Sequence, residues 1–86
     1  MAQIKLLFFG WVKERVGTGE QVEVVPDGIA TVGEFVDFLM REDLAFARLQ
    51  KDASRLRFAA DLEMVGREAA LAGVSELAIF PPVTGG

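Results

Sequence analysis

The sequence predicts an α+β roll, a mixed sheet of about five strands folded around one main helix. Three observations carry that expectation. Apolar runs of strand length stand near both ends of the chain, Ile4 to Phe9 and Leu77 to Phe80. Only Val32 to Arg41 holds a sustained helical period. The rest is brief alternating segments punctuated by Gly, Pro and Asp. At 86 residues there is room for one domain, and a hydrophobic fraction of 51% is ample for its core.

Gln3 to Phe9 has Ile4, Leu6 and Phe8 on one face and Lys5, Leu7 and Phe9 on the other. The first face is wholly apolar, as a core face must be. The second is apolar at Leu7 and Phe9, which implies that it too is covered, a partner being one candidate. Trp11 to Val16 reads as a short helical turn ended by Gly17-Thr18-Gly19. That cluster is a turn, because a nucleotide-binding loop needs further glycines or a Gly-Lys-Ser/Thr run. Gln21 to Val25 alternates Val22 and Val24 against Gln21 and Glu23, a second strand paired with the first as a hairpin. Pro26-Asp27-Gly28 signals a turn.

Thr31 and Glu34 have the spacing of a capping box, and Val32, Phe35, Val36 and Leu39 follow as one apolar stripe. Leu44 to Gln50 is expected to form a short helix capped by Asp43, and Lys51 to Ser54 a polar loop. Arg57 to Ala60 reads as a third strand, Asp61-Leu62 as a tight turn and Glu63 to Val65 as a short fourth strand. A loop over Leu71 to Ser75 leads into the last strand, Glu76 to Phe80. The first and last strands are the most apolar, the character of central parallel strands.

Composition excludes several chemistries. The chain has no Cys and no His, so thiol nucleophiles, imidazole triads and Cys/His zinc sites are absent. Thirteen acidic against nine basic side chains give a net charge of −4, which disfavours nucleic acid as a partner. The basic run Arg48, Lys51, Arg55 and Arg57 is interrupted by Asp52 and reads as a solvated face or protein-docking patch rather than a phosphate site. The carboxylates are scattered and form no catalytic pair. No apolar run reaches the length of a membrane span, and Met1 to Lys5 lacks the pattern of a secretory signal; the expectation is a cytoplasmic protein without membrane contact.

The most informative stretch is Pro81-Pro82-Val83-Thr84-Gly85-Gly86, directly after the last strand. Proline cannot donate to a sheet ladder, so Pro81-Pro82 should stop that strand and stiffen the start of the tail. Gly85 and Gly86 carry no side chain, so the backbone there is thin. The expected organisation is a folded domain over residues 1–80 and a flexible tail over 81–86 ending in a carboxylate. Such an arm suits threading into another protein's active site.

The order of elements and the Gly-Gly end resemble the β-grasp of ubiquitin-like proteins. The tail, with Ile4 to Gly10, Lys13-Glu14, Gly17 and Leu56 to Val65, is similar to the small subunit of molybdopterin synthase over essentially the whole chain. Asp61 stands where that family usually has Asn, Val74-Ser75-Glu76 where it has a Gly-Asp-Glu turn, and Gly10 where it commonly has Ala. The resemblance implies a sulfur carrier. A ubiquitin-activating-type adenylyltransferase would adenylate the Gly86 carboxylate with ATP, and a sulfur-donor enzyme would convert it to a thiocarboxylate. The tail would then enter the large catalytic subunit of the synthase, two small subunits serving a dimer of large ones, and pass sulfur to cyclic pyranopterin monophosphate. No cofactor is expected on this chain, and the acid-base groups are expected on the large subunit.

Physical chemistry agrees with that role. A terminal carboxylate is ionised at neutral pH and is a poor acyl donor until a leaving group is supplied. Phe9, Met64 and Phe80 come from three strands and are expected on the sheet face away from the helix, either as ordinary core or as a partner-docking patch. Other readings are a carrier for thiamine or another thiolated product, a ubiquitin-like modifier of target lysines, and a binding module with an incidental tail.

Overall fold

The computed structural model describes residues 2–82. Five strands form one sheet in the order β2-β1-β5-β3-β4. These are β1 (Gln3–Phe8), β2 (Glu20–Val24), β3 (Arg57–Ala60), β4 (Glu63–Val65) and β5 (Glu76–Phe80). β1 and β5 pair in parallel, while β1 with β2, β3 with β5 and β3 with β4 are antiparallel. The chain's last strand thus lies between its first and its third, as their continuous apolar character predicts.

One face of the sheet is sealed by helices. Ile4, Leu6 and Phe8 of β1, Leu77 and Ile79 of β5 and Phe58 of β3 are buried on that side. They meet Val32, Phe35, Val36, Leu39 and Met40 of α2 (Val32–Glu42) and Val12 and Val16 of α1 (Gly10–Val16). Each such side chain contributes roughly 1.5–3 kcal/mol by leaving water. Phe8 and Phe46 meet edge to face at 5.5 Å, tying the sheet to α3 (Leu44–Ala47). No polar or charged residue is buried among the described residues.

Local signals start and stop the helices. Thr31 Oγ1 accepts from the Glu34 N–H, and Glu34 Oε1 accepts from the Ala30 and Thr31 N–H groups, completing the capping box of α2. Those two backbone donors hold the Glu34 carboxyl below the usual carboxylate range. Asp43 caps α3 through the Ala45 N–H at 2.9 Å. The Gly17 N–H reaches the Lys13 carbonyl at the end of α1, where φ is +97°.

Two expectations need correction. The short helix ends at Ala47 rather than Gln50, and the expected loop over Lys51 to Ser54 lies within a 3-10 segment, Gln50–Arg55, kinked at Asp52. Leu49 and Leu56 on either side of that polar segment are both buried. Anchored at both ends, the segment closes tight i to i+3 bonds such as Asp52 N–H to Leu49 O at 3.0 Å.

β2 presents its valines outward. Val22 lies opposite Lys5 and Val24 opposite Gln3, so both valines share the face away from the helices and are 57% and 42% exposed. Gln21 and Glu23 take the helix side and are half-buried; Gln21 Nε2 donates to Glu23 and, at 3.3 Å, to Asp43.

Candidate functional site

β5 ends at Phe80, and half-buried Pro81 and Pro82 come directly after it. The strand stops where the ladder would next need a donor that proline lacks. The Phe9 N–H donates to Ile79 O at 3.4 Å, so β1 and β5 stay together up to the point where the chain leaves the sheet. Gly10 then turns the backbone with φ of +59°. A Cβ at Gly10 would stand 2.8 Å from Pro81 Cγ and 3.1 Å from Cδ. Absence of a side chain at Gly10 therefore gives Pro81 its seat, and glycine's tolerance of positive φ gives the turn. Val83, Thr84, Gly85 and Gly86, which carry the chemistry expected from the sequence, lie outside the described residues.

The three residues expected on the open sheet face are there. Leu7, Ala78, Ala59 and Met64 form one row across four strands. One step towards the tail, Phe80 lies opposite Arg57, and Phe9 continues β1 in extended conformation beside it. Phe9 and Met64 are 51% and 64% exposed, while Phe80 is half-buried. Leu7, Ala78 and Ala59 are half-buried and fill the space between them. Val22 and Val24 extend this apolar face to the β2 edge, an extension that alternation in the sequence does not assign. Among the described residues, salt bridging there is limited to Lys5 and Glu76 at 3.9 Å, too long and exposed to contribute much.

The opposite end of the sheet is closed by a different device. Asp61 and Leu62 form the two-residue turn between β3 and β4 with φ of +48° and +74°. The Asp61 carboxylate accepts from the Ser75 N–H at 3.2 Å and the Glu76 N–H at 2.9 Å, and the Asp61 N–H donates to Glu76 O. Asp here therefore fixes the start of β5, leaving its far end to carry the tail. An open cleft of about 770 Å³ also lies at this end, lined by Val25, Ile29, Leu71 and Val74 with Asp27 at its rim. It holds no acid-base pair.

The N terminus of α2 has no free donors for an anion: Val32 and Gly33 N–H reach Ala69 and Arg67 carbonyls, and Glu34 and Phe35 reach Thr31. No group of three or more metal-ligating side chains occurs among the described residues. No helix among them is long and apolar enough to cross a membrane.

A mixed five-stranded sheet wrapped on the capped helix α2, with a proline-stopped central strand leading to Gly-Gly, defines a ubiquitin-like β-grasp protein. Within that class the match is specific over residues 6–86: the chain belongs to the ThiS family. It is similar to small archaeal modifier protein 1 of Haloferax volcanii, with 28% identity, coverage of 99% of this chain and 100% of that one, and a TM-score of 0.76. The same modifier from Methanosarcina acetivorans shares 20% identity over 100% and 98% of the two chains, with a TM-score of 0.73. A putative molybdopterin converting factor, subunit 1, of Pyrococcus furiosus has the same fold, with a TM-score of 0.74 at 15% identity over 96% and 100%.

Proposed function

We propose that this chain is the sulfur-carrying small subunit of a molybdopterin synthase, with residues 1–80 as the docking domain and 81–86 as the delivered arm. The observation that carries this reading is Pro81-Pro82 leaving the central strand of a ThiS-family domain, toward a Gly85-Gly86 end. In the proposed cycle the Gly86 carboxylate attacks the α-phosphorus of ATP on a ubiquitin-activating-type partner, and pyrophosphate leaves. Sulfide-level sulfur from a donor enzyme, attacking as hydrosulfide, forms the C–S bond as the bond to AMP breaks, and gives a thiocarboxylate. Inside the large subunit that sulfur passes to cyclic pyranopterin monophosphate, and the terminus returns to a carboxylate with oxygen from water. A dithiolene takes two such deliveries. Thr84 and the two glycines are small enough for a closed channel, and Val83 comes after the stiff proline pair.

Phe9, Met64 and Phe80 are assigned to partner docking, since the apolar face they share begins at the base of the arm. The chain holds no cofactor of its own in this scheme; ATP belongs to the activating partner, and the setting is the cytoplasm. A second reading is favoured by the 28% identity to a small archaeal modifier: conjugation of Gly86 to lysines of other proteins.

Intact-mass analysis after incubation with the activating enzyme, ATP and a sulfur source separates these. An oxygen-to-sulfur exchange at the terminus supports the carrier, and adducts on other proteins support the modifier. Adding the large subunit and cyclic pyranopterin monophosphate should then yield molybdopterin. Failure at that last step, with the thiocarboxylate formed, transfers the assignment to a thiamine-type acceptor.

A further inference from the structure

Trp11, on the first turn of α1, carries two guanidinium groups: Arg15 Cζ lies 4.6 Å and Arg55 Cζ 5.4 Å from its ring centre. Asp52 accepts from both arginines, at 3.2 Å from Arg55. Arg48 donates to the Arg15 carbonyl at 3.3 Å, and Arg57 to the Ser54 and Leu56 carbonyls at 3.3 and 3.1 Å. With exposed Lys51, five basic side chains thus gather around one carboxylate. The remaining four basic and twelve acidic side chains leave the rest of the molecule at −8, against +4 here, consistent with the net −4.

The place of this charge matters. Arg57 is the register partner of Phe80, and Trp11 is next to Gly10, the residue against Pro81. The basic pole therefore adjoins the point where the chain leaves the sheet. Stacking on indole and anchoring to carbonyls hold the guanidinium groups in place, so little side-chain freedom is lost on docking. Neither the cleft of about 770 Å³ nor one of about 620 Å³ beside Gly10, Lys13 and Gly17 is lined by these arginines. With Asp52 at its centre, the cluster suits an extended acidic protein surface better than a small phosphate.

We propose that the cluster around Trp11 is a docking surface for an acidic face of the tail-activating protein, and that it turns the Pro81 end of the molecule towards that protein's active site. The inference rests on the reading that the tail is adenylated by a partner. A strongly dipolar molecule orients in a partner's field before contact and associates faster.

The test uses the full chain, ATP and the ubiquitin-activating-type enzyme encoded in the same genome, with pyrophosphate exchange as readout. Lys51→Glu/Arg57→Glu spares the Asp52 contacts and reverses two charges. At low ionic strength its KM for the carrier should rise roughly 10- to 100-fold with kcat within about two-fold. At high salt the gap should shrink to a few-fold, because screening removes long-range attraction. Arg57→Lys with Lys51 intact should restore the parent KM. Arg41→Glu/Arg67→Glu changes net charge equally outside the cluster and should raise KM far less; thermal midpoints confirm that each variant folds. Equal KM for the cluster variant and the parent, or equal losses in both double variants, overturns the docking surface while leaving the carrier reading standing. Exchange that persists unchanged after deletion of Gly86 overturns the carrier reading, and the docking surface with it.

Discussion

Replacement of Gly10 by alanine tests how the fold seats the departing chain. The geometry imposes two separable costs. At φ of +59° an L side chain sits in the left-handed region, which costs about 1–2 kcal/mol. The new Cβ would also lie 2.8 Å from Pro81 Cγ, so the proline ring or the turn must move, an overpacking cost of about 1–2 kcal/mol. Gly10→Ala should therefore destabilise by about 2–4 kcal/mol in urea titration. For a domain of this size, each kilocalorie lowers the thermal midpoint by about 4–8 °C. Pro81→Ala removes the Cγ and Cδ atoms that the methyl would meet. In that background Gly10→Ala should cost only the backbone part, giving a coupling of about 1–2 kcal/mol in the double-mutant cycle. Equal costs in the two backgrounds, within about 0.5 kcal/mol, would refute the steric seat. The same cycle read as adenylation rate would show whether displacing Pro81 misdirects the arm.

Phe80→Arg should leave the fold intact yet weaken binding to the large synthase subunit by about 2 kcal/mol or more, measured by titration calorimetry; unchanged affinity would remove the docking role from this face. Leu62, 93% exposed at φ of +74°, gains nothing from its side chain, so Leu62→Gly should raise stability by roughly 0.5–1 kcal/mol in chemical denaturation. Asp61→Ala strands the Ser75 and Glu76 N–H groups and should cost about 1–2 kcal/mol, with Asp61→Asn milder because its carbonyl still accepts; hydrogen exchange at those amides reads the loss directly. The Arg15 hydrogen bond, with Arg15 and Arg55 charge and the Arg55 hydrogen bond, holds the Asp52 carboxyl below its ordinary value near 4. A lowered folded value means that its stabilisation is present above that ordinary value and is lost as pH falls through the lowered one. Asp52→Asn should therefore be less stable than the parent at pH 7, the gap closing in strong acid; a constant gap across the pH range would contradict the linkage.

Local chemistry was legible in the sequence, as were the β1-β2 hairpin and the central parallel pair of β1 and β5, whereas the register of those pairs was not. The capping box at Thr31 and Glu34 needs residues only three apart, and the stop at Pro81 comes from a missing N–H. The stripe on α2 and the inner face of β1 are set by period alone. Period does not give phase, however. Val22 and Val24 face outward because register sets them opposite Lys5 and Gln3, a fact lodged in the first strand. The 3-10 helix formed where a loop was expected because two buried leucines, not its own polar residues, set its shape. For the same reason the sequence showed Arg48, Lys51, Arg55 and Arg57 as a run but missed Arg15, which joins it at Asp52 from 37 residues away, and Trp11, which joins it at Arg55.

The position of β5 between β1 and β3 has a consequence for synthesis. A nascent chain lacking residues 76–80 has a β1-β2 hairpin and a β3-β4 hairpin with no strand to join them. Leu77 and Ile79, both fully buried, would be missing from the centre of the core. Such fragments cannot close the sheet and would present open strand edges to proteases and chaperones. Folding therefore acts as a check on translation: a molecule that attains this structure has been made at least through Phe80.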